Sequence, residues 1–559
     1  MDVIWVCPMY RSPQADYGYD ISDWTDIHPE FGRVSDVERL IAEAHKLGMR
    51  LLMDLVVTHS SSQHKWFLEA CSSRDNPKAD WYMFRDPRPG NMIMNNVTGE
   101  SELVEEPTNW KACFGGPIWT YVPARDQYYL SLFMPAEPDL NFENPEVRKA
   151  VFQDAIGFWL DRGIDGFRID TVNRISKDLS FPDAPTTLKG RLQPGSDWYI
   201  NGPRSHFFIQ ELRKYMDNHP CVKRTGKELM LVGELPRTPY DDVLKYTHPE
   251  SKELSMVFDF DMVRLGGHDN PDEVPSHMVK NLSDGHHTFT LPQFKSELAK
   301  VQDLIANGSW GTIFMENHDQ CRSIDRYATP KPEFREQAAK LLCILQMTLS
   351  GTPFIYQGQE IGMENMPKHW DFNDFRDPAA LNYLKATRDD GTDEQYEAAR
   401  VGTLRFGRDN TRTPVQWSSG TNAGFSACRE GETWIGVHNN YVNINVEDQQ
   451  KDPRSILNFW KRQIALRKRH SEIFVHGSFE ILDSANPNSF CYLKISPAGE
   501  VAVVCLNFSE GQEDLLMPTG LMDTHTLELL VSNLHTPKRI TAKLRAWEGR
   551  VYFLKKQAA

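Results

Sequence analysis

The sequence predicts an α/β protein built on a (β/α)8 TIM-type barrel, and three observations predict it. A helix-then-strand unit returns along the chain. Its strands are continuous apolar runs, as parallel strands covered on both faces must be. Polar residues gather at the C-terminal end of nearly every strand, the end that lines the mouth of such a barrel. An open, doubly wound sheet would carry a glycine-rich phosphate loop after an early strand, and none is present.

The elements follow in order. VIWVC (3–7) is the first strand. SDVERLIAEAHKL has helical periodicity, with Ser35 or Asp36 as cap and Gly48 as a left-handed stop before the apolar run MRLLMDLVV. Asn144-Pro145 opens a helix to Leu160, which Gly163 closes before the strand IDGFRID. SHFFIQELRKYM precedes ELMLVGE, and ELSMVFDF is a further strand. FKSELAKVQDLIA leads to GTIFMENHD, and EFREQAAKLLCILQMTLS to TPFIYQG. These make seven strands where a complete barrel has eight. The chain opens on what reads as the second, so the first strand and helix are expected in a natural upstream segment. Four regions result: 1–58, first part of the barrel; 59–144, a subdomain inserted after the third strand of the full barrel and rich in Asn, Pro, Gly and Trp; 145–475, the rest of the barrel; and 476–559, an antiparallel β domain of short alternating runs.

Composition narrows the function. The 559 residues are 40% hydrophobic and 25% charged, which excludes a disordered or fibrous chain. The net charge of −15, without blocks of Lys or Arg, argues against nucleic-acid and anionic-membrane partners. Fourteen Trp and eighteen Tyr offer flat faces of the kind that suit sugar rings, although most such residues serve a core. Nine cysteines lack any CxxC or zinc spacing and read as reduced, buried thiols. The opening MDVIWVCPMYRSP has no basic leader region, and no apolar stretch reaches membrane-spanning length, so a cytoplasmic protein is expected. The sequons at Asn96 and Asn507 are therefore expected to be unused.

Four acidic residues end strands: Asp54, Asp170, Glu234 and Asp319. Any one alone reads as a helix cap or a solvated loop carboxylate. Four at successive strand ends would face one mouth. Arg168 lies two residues before Asp170, on the same face of its strand, where its charge is expected to keep Asp170 ionised. His318 precedes Asp319, and no His or Cys cluster offers a metal site.

GFRID (166–170), Glu234 in VGEL, ENHD (316–319) and DLVVTH (54–59) resemble four sequence regions of glycoside hydrolase family 13. YGYDISDW, EPDLNFENPEVR and RDNTRTPVQW resemble its α-glucosidase and oligo-1,6-glucosidase branch, with similarity from residue 1 into the C-terminal β domain. The resemblance implies Asp170 as nucleophile, Glu234 as general acid/base and Asp319 as transition-state stabiliser. A retaining glycosidase uses such a pair of carboxyl groups about 5–5.5 Å apart, and burial would keep an acid protonated. Asp16, Tyr19, His59, Arg168 and Arg408 match positions around a terminal glucose ring, Phe133 and Arg412 look like further members of that pocket, and His318 with Asp319 would hold the sugar hydroxyls. Each of several has a plain structural alternative: Tyr19 and Phe133 as core aromatics, His59 as a loop histidine, Arg408 and Arg412 as ion-pair residues. Thr171, directly after the nucleophile, implies a preference for α-1,4 over α-1,6 links, its hydroxyl being expected to meet the acceptor sugar.

Three departures stand out: Thr58 where the family usually has Asn, Glu137 where Gln is common, and the missing first strand with its cation-carrying loop. No metal and no cofactor is expected. The activity implied is an exo-acting α-glucosidase on maltose, short malto-oligosaccharides or sucrose. A transglucosylase or sucrose isomerase would use the same residues, and an inactive scaffold or truncated homologue is the third possibility. Oligomeric state is not legible in the sequence.

Overall fold

The computed structural model describes residues 1–94, 101–266, 289–518, 525–534 and 541–556. The chain forms two compact units, Met1–Phe260 and Asp261–Ala559.

In the first unit a five-stranded parallel sheet runs in chain order: β1 (Val3–Val6), β2 (Arg50–Leu55), β3 (Gly166–Ile169), β4 (Met230–Glu234) and β5 (Met256–Phe258). Each is one of the apolar runs of the sequence, and the strands from β2 onward are almost entirely buried. Helix α1 (Val34–Lys46) joins β1 to β2 and turns its Val37, Ile41 and Ala44 inward. Its start differs from expectation. Arg33 occupies the cap position, and the Asp36 carboxylate reaches back to accept from the Arg33 N–H at 3.0 Å. Gly48 takes the left-handed conformation that closes the helix, with φ of +71°.

Helix α2 starts at Pro145, capped by the Asn144 side chain, which accepts from the Glu146 N–H. It reaches Asp161 through a π-helical stretch, Phe152–Gly157, that no periodicity announces. Gly166 opens β3 at a φ of +150°, and a Cβ there would stand 2.0 Å from the Met230 carbonyl oxygen. Only glycine lets β3 lie this close to β4, and that contact brings the ends of the two strands together. Helix α3 (Ser205–Asn218) connects them. Between β2 and α2, the strand Gln127–Leu130 pairs antiparallel with Phe84–Arg85 and Trp119–Val122, over a core that includes Trp110, Ile118, Trp119 and Leu132.

The second unit holds α4 (Leu291–Ala306) and α5 (Arg335–Thr348), each followed by a two-residue parallel strand, β6 (Thr312–Ile313) and β7 (Thr352–Pro353), which pair with each other. All seven expected strands are thus present, in two sheets among the described residues. Helices Pro378–Asp390 and Asp393–Phe406, which the sequence reading did not anticipate, share a core of Leu384, Ala399 and Leu404. After α6 (Ile456–Arg469) come the five expected C-terminal strands: β8 (Ser478–Ile481), β9 (Ser489–Ile495), β10 (Val501–Asn507), β11 (His525–Ser532) and β12 (Gly549–Lys556). They form one antiparallel sheet in the order β8-β9-β10-β12-β11.

All nine cysteines are free, but only Cys321, Cys343, Cys491 and Cys505 are fully buried; the other five are partly exposed, which corrects the expectation of an all-buried set. Asn507 is buried, and its amide donates to Gly511 O and Arg545 O, so that sequon is closed. The sequon at Asn96 lies outside the described residues. Among the described residues no helix is long and apolar enough to cross a membrane.

Candidate active site

Parallel register builds the site. Arg168 on β3 stands level with Asp54 on β2, and β4 ends on Glu234. Asp170 follows β3 directly. The Arg168 side chain, 1% exposed, therefore meets three carboxylates. Its Nη1 donates to Asp54 Oδ1 at 2.9 Å and Asp170 Oδ1 at 2.8 Å, and its Nη2 lies 2.6 Å from Glu234 Oε2. Tyr19 donates to Asp54 Oδ2 at 3.1 Å, and Tyr10 to the Asp54 carbonyl at 2.7 Å.

One guanidinium among three buried carboxylates sets the electrostatics. Burial pushes the Asp54 carboxyl up to about 6, against the pull of Arg168. Asp170 also lies above the usual carboxylate range, through burial first; Arg168 lowers it, and the Asp54 charge raises it again. Arg168 thus pulls the Asp170 carboxyl down, in the sense expected, while desolvation and a second carboxylate outweigh that pull. Arg168 itself is held firmly protonated by its three partners, despite its burial.

Thr171 turns the chain after Asp170. It adopts φ 35°, ψ 42°, donates its backbone N–H to Glu234 Oε2 and its hydroxyl to Asp170 Oδ2, both at 3.1 Å. Asp16 and Tyr19 share the loop after β1, tied by the Tyr19 N–H to the Asp16 carbonyl at 3.0 Å. Asp20, missed in the sequence, organises that loop by accepting from Ser12, Ala15 and Asp16.

His59 is buried, with Nδ1 3.0 Å from Thr58 Oγ1 and Nε2 3.6 Å from Glu137 Oε1. The two unusual residues of the sequence thus flank one imidazole. Burial pushes the His59 pKa down to about 4, so the ring is neutral at ordinary pH. Phe133 packs edge-on against His59 at 5.2 Å, and the Arg174 guanidinium lies over the Phe133 ring, 4.9 Å from its centroid. Arg174 also donates to Cys113 Sγ at 2.9 Å. Neither Arg174 nor Cys113 was singled out in the sequence, and only the tertiary contacts of Arg174 with Phe133 and with Cys113 reveal them.

In the second unit, Asp319 Oδ1 accepts from Arg412 Nη2 at 2.7 Å and Arg408 Nη1 at 3.3 Å. Arg412 Nε donates to the His318 carbonyl at 2.8 Å, and His318 Nε2 lies 3.4 Å from Asp319 Oδ2. All four expected residues of this unit meet. Asp377, not foreseen, accepts from Arg408 Nε and Nη2 at 3.0 and 2.7 Å and is fully buried. Beside it, burial and the Asp377 charge hold the Asp409 carboxyl above its ordinary range. Among the described residues no group of three or more His, Cys, Asp or Glu is arranged to hold a metal ion.

Residues 1–477 match the family described as "Alpha amylase, catalytic domain". The chain is 41% identical over 557 residues to "Alpha-glucosidase" of Candida albicans, covering 98% of this chain and 91% of that protein. It is 37% identical over 559 residues to "Oligo-1,6-glucosidase" of Parageobacillus thermoglucosidasius, covering 99% and 91%. Among solved structures it resembles trehalose-6-phosphate hydrolase of Bacillus licheniformis, with TM-score 0.85 and 35% identity over 99% of this chain and 92% of that one. Isomaltulose synthase of Erwinia rhapontici gives TM-score 0.87 at 31% identity over the same shares. With a family match over most of its length and close relatives along nearly all of it, the chain belongs to the α-glucosidase group of glycoside hydrolase family 13, the α-amylase family.

Proposed function

We propose that the protein is a retaining, exo-acting α-glucosidase that frees glucose from the non-reducing end of maltose, short malto-oligosaccharides and sucrose. The parallel strands are read as those of a (β/α)8 barrel, with 59–144 as an inserted subdomain and 476–559 as a C-terminal β domain. The observation that carries the functional reading is the Arg168 fork, which holds Asp170 and Glu234 at adjacent strand ends.

The chemistry runs in two displacements. An Asp170 oxygen forms a bond to C1 of the glucosyl unit as the C1–O glycosidic bond breaks, and Glu234 gives its proton to the departing oxygen. Glu234, now a carboxylate, takes a proton from water, whose oxygen attacks C1 and releases Asp170. Asp319 is assigned the stabilisation of the oxocarbenium-like transition state, with Arg408, Arg412 and His318 holding sugar hydroxyls. Asp16, Tyr19, His59 and Phe133 are assigned to the terminal glucose ring.

A second reading, transfer of glucose to a sugar acceptor, is favoured by the likeness to an isomaltulose synthase. Turnover of maltose, isomaltose, sucrose and trehalose-6-phosphate, measured side by side with product analysis, decides. Glucose released fastest from maltose supports the first reading. Isomeric disaccharide as the main product from sucrose supports the second.

A further inference from the structure

The residue after the proposed nucleophile stands in a conformation its side chain disfavours. Thr171 has φ 35°, ψ 42°, and a β-branched residue in left-handed backbone is a genuine outlier. Such strain persists where neighbours over-determine it. Here they do. Arg174 N–H closes a turn on the Thr171 carbonyl at 2.9 Å. Asn173 Nδ2 then donates to the Pro236 carbonyl at 2.8 Å and Thr238 Oγ1 at 2.9 Å, locking the turn to the segment beyond β4.

The strained turn has a result. It aims both donors of Thr171 at the two carboxylates, the N–H at Glu234 Oε2 and the hydroxyl at Asp170 Oδ2. Asp170 Oδ1 is already held by Arg168. The carboxylate is therefore fixed at both oxygens, by a cation on one and a neutral hydroxyl on the other. A hydroxyl has one hydrogen, and this one is spent on Asp170. Toward an acceptor sugar it can then serve only as an acceptor, through its lone pairs.

We propose that Thr171 is a positioning residue for the nucleophile, its hydroxyl orienting Asp170 for attack, and that any effect of this residue on linkage is transmitted through Asp170. This rests on the α-glucosidase reading above.

α-Glucosyl fluoride separates the alternatives, because its leaving group is fluoride and no acceptor sugar is present. Asp170 oxygen bonds C1, the C1–F bond breaks, fluoride departs with the electron pair, and water then displaces Asp170. Fluoride and maltose turnover are measured for the unmutated chain, Thr171→Val and Thr171→Ser. Thr171→Val keeps the branched shape and removes the donor. It is expected to slow both substrates by a similar factor, about tenfold, as for a lost hydrogen bond to a charged group. It should also move the acid limb of the kcat/KM profile to higher pH. Thr171→Ser should restore rate and profile. If Thr171→Val does not fold, Thr171→Ala is read the same way. A variant without the hydroxyl that turns over the fluoride normally and changes only on maltose would overturn the proposal, as would a folded Thr171→Ser as slow as Thr171→Val. An unmutated chain inert on the fluoride would instead overturn the glucosidase reading itself.

Discussion

Arg168 and Glu234 form an ion pair at 2.6 Å, between side chains 1% and 6% exposed. The same guanidinium serves Asp54 and Asp170, so its fork orients three carboxylates of adjacent strands. A lysine cannot reproduce it, since an ammonium is a point donor that cannot span three acceptors at once. Arg168→Lys should leave at least one buried carboxylate uncompensated, at about 3–5 kcal/mol of stability. Turnover should fall at least about 100-fold. Thermal unfolding and maltose kinetics check this; a lysine variant with ordinary Tm and rate would show that the fork is dispensable.

Asp170→Asn should leave the fold standing and stop the reaction. The amide is nearly isosteric, and its oxygen can still accept from Arg168, but it cannot form the glycosyl ester. A loss of at least ~10³-fold is expected, equivalent to about 4 kcal/mol of barrier. Circular dichroism establishes the fold and glucose release the rate. Near-normal turnover in the pure variant would remove Asp170 from its role.

The sequence made the sheet legible because buried parallel strands are continuous apolar runs, and β2, β3 and β4 are such runs. It made three carboxylates legible because Asp54 and Glu234 lie at the ends of β2 and β4 and Asp170 directly follows β3. Contacts between distant segments left no local trace. Arg174, Cys113 and Phe133 lie far apart in the chain and meet only when folded. Asp377 caps the helix that follows it, accepting from the Ala379 N–H at 3.1 Å. Its second duty, holding Arg408, appears only in three dimensions. The left-handed turn at Thr171 escaped for a different reason: no propensity favours a threonine there, and neighbours impose it.

That double duty yields a prediction for Asp377. Its Oδ1 receives two nitrogens of Arg408, whose remaining Nη1 reaches Asp319. Asp377→Asn keeps an acceptor for the helix cap but removes the charge that fixes the guanidinium. Arg408 should lose orientation more than it loses position. KM for maltose should rise about tenfold, in line with one weakened charge-assisted hydrogen bond. The kcat should change less, and Tm only modestly. A fall in kcat at constant KM would mean that Asp377 acts elsewhere.

Asp325 gives the protein a stability that depends on pH. It is partly buried and accepts from the Asn365 N–H at 2.9 Å. Burial raises its pKa from 3.8 to about 7, and the neighbouring Glu364 and Glu316 push the same way, against that N–H and Arg322. Below pH 3.8 the folded and unfolded chains both hold the proton. Between 3.8 and about 7 the folded chain keeps a proton that the unfolded chain has released, so stability falls as pH rises through this window. Above it both are ionised, and the full cost of a buried carboxylate remains. Asparagine holds the same N–H without ever ionising. Asp325→Asn should therefore gain on the unmutated chain as pH rises from 5 to 8, by on the order of 2 kcal/mol, and the two should run parallel beyond that. Unfolding midpoints of both proteins across pH 5–9 test it. A constant difference over the whole range would mean that Asp325 keeps one protonation state in folded and unfolded chain alike.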